Sequence, residues 1–72
     1  GALYVKDENP LIFYEKITKL AKTALNPGGK LYFEVNQYLA EETEKMMQKY
    51  GFSTELRKDL FGNFRMLKGE LR

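Results

Sequence analysis

A chain of 72 residues with a formal charge of +2 is one domain at most, or a piece of a larger one. It has no cysteine and no histidine, which excludes disulfides, thiolate metal sites and the commonest neutral-pH base. Lysines and arginines are interspersed with glutamates, so the surface reads as ordinary and solvated, with no face dedicated to nucleic acid.

Taken in order, residues 2–8 begin with a short apolar run, Leu3, Tyr4 and Val5, which suits either an edge strand or an arm laid on the next element. Asn9 is a good N-cap and Pro10 fits the first helical position. The first helix is therefore expected from about Pro10 to about Leu25. Phe13, Ile17, Leu20, Ala21 and Ala24 form its apolar stripe, widened at the start by Leu11, Ile12 and Tyr14. Glu15 stands four residues before Lys19, the favourable order for a helix ion pair. Pro27 excludes helical geometry from Asn26 and so ends the helix.

Asn26, Pro27, Gly28 and Gly29 spell a tight turn. A strand follows over 31–36, in which Leu31, Phe33 and Val35 alternate with Tyr32, Glu34 and Asn36. Large side chains on both sets predict a strand covered on both faces. Because Gly28 and Gly29 open a strand instead of a helix, they are not a phosphate-binding loop. The second helix is expected over 39–50, with Leu39, Thr43, Met46, Met47 and Tyr50 on one face. Glutamates crowd its first turns and lysines its last, as the helix dipole prefers. Gly51 should take left-handed geometry past the helix end, letting Phe52 pack back over the last turn.

Residues 53–60 and 64–71 predict two more strands, joined through Phe61, Gly62 and Asn63 as an antiparallel hairpin. The first two strands flank a helix, which favours a parallel crossover between them. The pattern leaves open whether the last strand enters between the other two or adds at an edge. Helix, strand, helix, strand, strand is an incomplete α/β architecture, like one end of a doubly wound domain.

Candidate functional residues are few. Glu34 is the acidic residue inside the first strand, near its C-terminal end, where open sheets place their ligands. It suits either an exposed surface position or a supporting place beside a substrate. Asn36 and Gln37 follow at the strand end and suit a capping turn or a pocket rim. Lys58, Asp59, Gly62 and Arg65 bracket the hairpin, where Asp59 can pair with Arg65 or accept backbone N–H bonds within the turn. A phosphate or nucleic-acid site would need more bases than Arg57, Lys58 and Arg65 provide. No spacing suggests a metal site. No apolar run is long enough to span a bilayer and no signal peptide is visible, so a cytoplasmic protein is expected.

The runs Pro10 to Tyr14 and Leu25 to Asn36, with Gly51-Phe52 and the stretch Lys58 to Arg65, resemble the HemK/PrmC family. These are the peptide chain release factor glutamine methyltransferases, which use S-adenosylmethionine. The resemblance covers nearly all of the chain but only the C-terminal part of the family's catalytic domain. It implies the end of a Rossmann-like class I methyltransferase fold: a three-stranded mixed sheet, last strand antiparallel and central, with two helices. It also implies a parent protein that methylates the glutamine of the release factor's Gly-Gly-Gln motif. Glu34, Asn36 and Gln37 match positions near the substrate side. The family's glycine-rich cofactor loop, its acidic ribose-binding residue and its Asn-Pro-Pro-Tyr motif have no counterpart in these 72 residues. The chain alone is therefore expected to be inactive and to bind no cofactor. The truncated sheet edge and the first helix's apolar face are expected to favour self-association. The alternative function is a small free-standing α/β protein-interaction module.

Overall fold

The computed structural model describes residues 10–58 and 64–72, with the backbone alone for Pro10, Phe64 and Arg65. The apolar run over 2–8, the Asn9 cap and the hairpin tip with Asp59 and Gly62 lie outside the described residues. The elements are α1 (Pro10–Ala24), β1 (Lys30–Asn36), α2 (Ala40–Lys49), β2 (Phe52–Lys58) and β3 (Phe64–Leu71).

The turn after α1 is built by its sequence. Gly29 N–H donates to the Asn26 carbonyl at 2.8 Å, Pro27 holds the second position, and Gly28 takes φ +88° in the third. That is a type II turn, in which a side chain at the third position would be strained. The turn is also stitched to the end of β3: Gly28 N–H donates to the Leu71 carbonyl at 2.7 Å, and Leu71 N–H to the Gly29 carbonyl at 2.9 Å. At the end of α2, Gly51 takes φ +93° and donates to the Gln48 carbonyl at 3.0 Å, one of the two bonds of a Schellman cap.

The three strands order as β1-β3-β2. β3 pairs antiparallel with both neighbours, Phe33 opposite Leu67 on one side and Leu56 opposite Leu67 on the other. β1 and β2 therefore run parallel to each other, with the last strand inserted between them. Of the two arrangements that the sequence pattern allowed, this is the one the family resemblance selected.

Both helices contact one another, and the buried side chains of the sheet share one face. Phe33, Val35, Leu67 and Leu71 meet Ala40, Met46 and Met47 from α2, with Phe52 beside them; Tyr14, Ile17, Ala21 and Leu25 pack on this cluster. The expectation that β1 is covered on both faces is corrected. Tyr32, Glu34 and Asn36 are exposed, because neither helix reaches their side of the sheet.

Two details of α1 also differ from expectation. Its inward face runs through Tyr14, Ile17, Thr18 and Ala21, while Leu20 and Ala24 point outward. Thr18 is fully buried because its hydroxyl donates to the Tyr14 carbonyl at 2.8 Å, which removes the cost of an unpaired polar group. Thr43 does the same in α2, donating to the Leu39 carbonyl at 2.7 Å. Glu15 bonds across the helix pair instead of along α1: the Tyr50 hydroxyl donates to its carboxylate at 3.1 Å. Lys19 and Lys49 lie 5.9 Å and 5.3 Å from the Tyr50 ring centre. An exposed pair along one helix is worth a few tenths of a kcal/mol, too little to hold Glu15 against a partner already fixed by packing.

Candidate functional site

Because β1 and β2 are parallel, their C-terminal ends lie at the same end of the sheet, and β3 begins there. Val35 and Lys58 both stand opposite Arg65, and Asn36 stands opposite Phe64. The topology thus brings Glu34, Asn36 and Gln37 to the sheet end that also carries Lys58 and the Arg65 backbone. Asp59 and Gly62, from the same hairpin, lie outside the described residues, as does any pairing by the Arg65 side chain.

Glu34 is exposed on the open face and stands opposite Met66. Its main-chain carbonyl accepts a hydrogen bond from the Tyr14 hydroxyl at 3.1 Å. The Tyr14 ring packs on Phe33 with centroids 4.9 Å apart. Burial, reinforced by the Glu34 charge, pushes the Tyr14 phenol above its ordinary value, so it stays a proton donor near neutral pH. Asn36 builds the exit from the strand. Its side-chain oxygen accepts the Tyr38 N–H at 2.9 Å, an Asx turn, and its main-chain carbonyl accepts the Leu39 N–H at 3.0 Å. Gln37 and Tyr38 are exposed in that turn.

The open face also holds a charge cluster that sequence reasoning missed. The Glu55 carboxylate accepts from Arg57 Nε at 2.9 Å and lies 3.3 Å from Lys68 Nζ. The Arg57 hydrogen bond first, then that of Lys68, holds the Glu55 carboxyl below its ordinary range. Finding the Lys68 partner requires the hairpin register, Glu55 opposite Lys68, and the spacing of charged residues alone does not supply it. Tyr32, Arg57 and Met66 join these residues around a shallow depression of about 150 Å³. Small-molecule sites usually span about 300–1,000 Å³, so this surface is no cofactor cradle. Neither helix start is glycine-rich: α1 opens at Pro10 and α2 follows Leu39. The described residues thus include no glycine-rich helix start of the kind that cradles a nucleotide. Among them no cluster of acidic side chains could hold a metal, and no helix is long and apolar enough to cross a membrane.

Two helices on one face of a mixed sheet, with the last strand antiparallel between two parallel ones, fit a piece of a Rossmann-like methyltransferase domain. The chain is 51% identical over 72 residues to a release factor glutamine methyltransferase of Flavobacterium psychrophilum, covering 99% of this chain and 25% of that protein. It is 43% identical over 67 residues to the enzyme of the same name from Bacteroides thetaiotaomicron, covering 92% and 24%. With that of Clostridium acetobutylicum it shares 39% over 56 residues, covering 76% and 20%. No protein-family model matches the chain, and no solved structure does. The chain belongs to the HemK/PrmC-type release factor glutamine methyltransferase family. It spans about a quarter of the length of the curated relatives it matches most fully.

Proposed function

We propose that the chain is the C-terminal part of the catalytic domain of a protein-(glutamine-N5) methyltransferase. The whole protein would transfer a methyl group from S-adenosylmethionine to the glutamine of the Gly-Gly-Gln motif in peptide chain release factors. The observation that carries this reading is the 51% identity, maintained over 99% of the chain, to a protein named for that reaction.

An amide nitrogen is a poor nucleophile, because its lone pair is delocalised into the carbonyl. The reaction therefore depends on groups that hold the amide in line with the methyl donor. Within this reading, β1 and its exit turn contribute support on the substrate side. Glu34 stands on the open face, and Asn36 is fixed by its bond to Tyr38 N–H. The amide-holding and donor-holding groups would come from the rest of the protein.

The test is a methylation assay of the full-length protein on a peptide release factor, with the modified residue located by mass spectrometry. One methyl group on the Gly-Gly-Gln glutamine is the expected result; methylation elsewhere, or none, would overturn the reading. The isolated 72-residue chain should show no turnover. In calorimetric titration it should not bind S-adenosylmethionine, and specific one-to-one micromolar binding would refute that.

The isolated chain should also self-associate. β1 is an outer strand of the three, and Ile12 and Leu20 of α1 are 48% and 64% exposed. Unpaired strand edges and exposed apolar side chains invite a second copy. Sedimentation over a wide concentration range reads this directly, and a strict monomer at the highest concentration counts against it.

A further inference from the structure

We infer that Tyr38 is a contact residue for the protein substrate, whose ring packs on the glycine main chain beside the glutamine to be methylated and so favours substrates without a side chain there. The inference rests on the proposed reaction and on the reading of the β1 exit as the substrate side.

Tyr38 is 81% exposed, more than any other large apolar or aromatic side chain of the described residues. Its backbone, by contrast, is held. Its N–H donates to the Asn36 side-chain oxygen at 2.9 Å, and Leu39 N–H donates to the Asn36 carbonyl at 3.0 Å. The turn is anchored at both ends: Asn36 is the last residue of β1, paired opposite Phe64, and Ala40 is fully buried at the start of α2. A tyrosine on a fixed backbone loses little freedom when it is covered, one reason the residue is enriched at protein contacts.

The turn stands past the end of the strand ladder, not along the edge of β1. A strand added beside β1 in the whole domain pairs with residues 30–36 and ends short of Tyr38. Open α/β sheets bind their ligands outside the C-terminal ends of the strands, and the parallel strands β1 and β2 both end here. A reaction on a glutamine of another protein requires this end to admit a polypeptide, so the rest of the domain must leave an approach to it.

The Gly-Gly-Gln motif offers one side chain, and the reacting groups take that up. Its glycines present only main chain. A flat ring can lie directly against their Cα and peptide groups, and a Cβ at that place would hold the ring off. The phenol hydroxyl can in addition bond a main-chain carbonyl or amide. One aromatic side chain thus supplies both affinity for glycine and rejection of larger residues.

The experiment is Tyr38→Ala in the full-length protein, assayed on the release factor and on a release factor whose glycine before the glutamine is replaced by alanine. The KM for the release factor should rise about tenfold, with the KM for S-adenosylmethionine within about twofold. The preference for the glycine substrate over the alanine one, read as a ratio of kcat/KM, should shrink by about threefold or more. Tyr38→Phe keeps the ring and should raise the KM for the release factor by no more than about threefold. The melting temperature of Tyr38→Ala should stay within about 2 °C of the wild type, because an exposed side chain supports no core. A larger drop would show Tyr38 packed against the rest of the domain and overturns the contact. An unchanged KM for the release factor beside an active wild type also overturns it, and an unchanged preference overturns the rejection of larger residues. All three leave the proposed reaction standing. A wild type that methylates no glutamine refutes the proposed reaction and this inference with it.

Discussion

Replacing Phe52 with alanine should destabilise the chain by about 3–5 kcal/mol, the usual cost of emptying a phenylalanine site in a packed core. Phe52 is 1% exposed and is among the largest fully buried side chains. Its place is set by two backbone features. Gly51, at φ +93°, reverses the chain out of α2, and Phe52 then opens β2 opposite Leu71 of β3. The ring thus sits where α2, β2 and β3 converge, against the face of Gly69. Stabilities of about 0.05–0.15 kcal/mol per residue give this chain a margin of only about 4–11 kcal/mol. At the low end of that margin a loss of this size leaves a large unfolded fraction at 25 °C. Urea unfolding followed by circular dichroism measures it. Leu20→Ala is the matched control: that side chain is 64% exposed, and its loss should stay within about 0.5 kcal/mol. If the two variants unfold at the same urea concentration, the convergence at Phe52 is not the core.

The sequence carried this architecture unevenly, for reasons visible in particular residues. Turns and helix ends were legible because their chemistry is local. Pro27 with Gly28 dictates the type II turn, and Gly51 dictates the end of α2, whatever the rest of the chain does. The α2 face was legible for the same reason, since Thr43, Met46 and Met47 recur at helical spacing and are buried.

Failures came where position depends on a neighbour that local pattern does not name. Leu20 fits an apolar stripe, yet it is Thr18 that faces inward, because a threonine can satisfy its own hydroxyl on the preceding turn. Tyr32 looked like a covered residue because it is aromatic, but both helices lie on the opposite face and it is 57% exposed. The strand order required the resemblance, since a hairpin that inserts and one that adds at an edge have the same periodicity.

At the candidate site, Glu34, Asn36 and Gln37 were legible as a strand end. The Tyr14 bond to Glu34 and the Glu55 cluster were not, because one depends on how α1 crosses β1 and the other on strand register.

Gly69 is the other residue whose meaning only the packing reveals, and it sets the last expectation. A glycine inside a strand weakens it unless something needs the space. β3 is the central strand, and Gly69 stands between Leu31 and Thr54 on its two neighbours. The volume a side chain would take is filled by the Met47 methyl from α2, while the Phe52 ring lies 3.2 Å from the Cβ position. Alanine there should be nearly neutral. Met47 ends in a flexible thioether that can swing aside, and losing glycine's freedom in the unfolded chain returns about 0.4–1 kcal/mol. Valine adds two more methyl groups that Phe52 cannot yield to, and should cost about 1–3 kcal/mol as overpacking. Met47→Ala alone should cost about 2–5 kcal/mol, as a cavity. Combining Met47→Ala with Gly69→Val lets the valine occupy the emptied space, so the double variant should be more stable than the sum of its parts by at least about 1 kcal/mol. Strict additivity in urea unfolding of the four proteins would mean that Met47 and Gly69 do not share that space, and the contact between α2 and the centre of the sheet would have to be drawn differently.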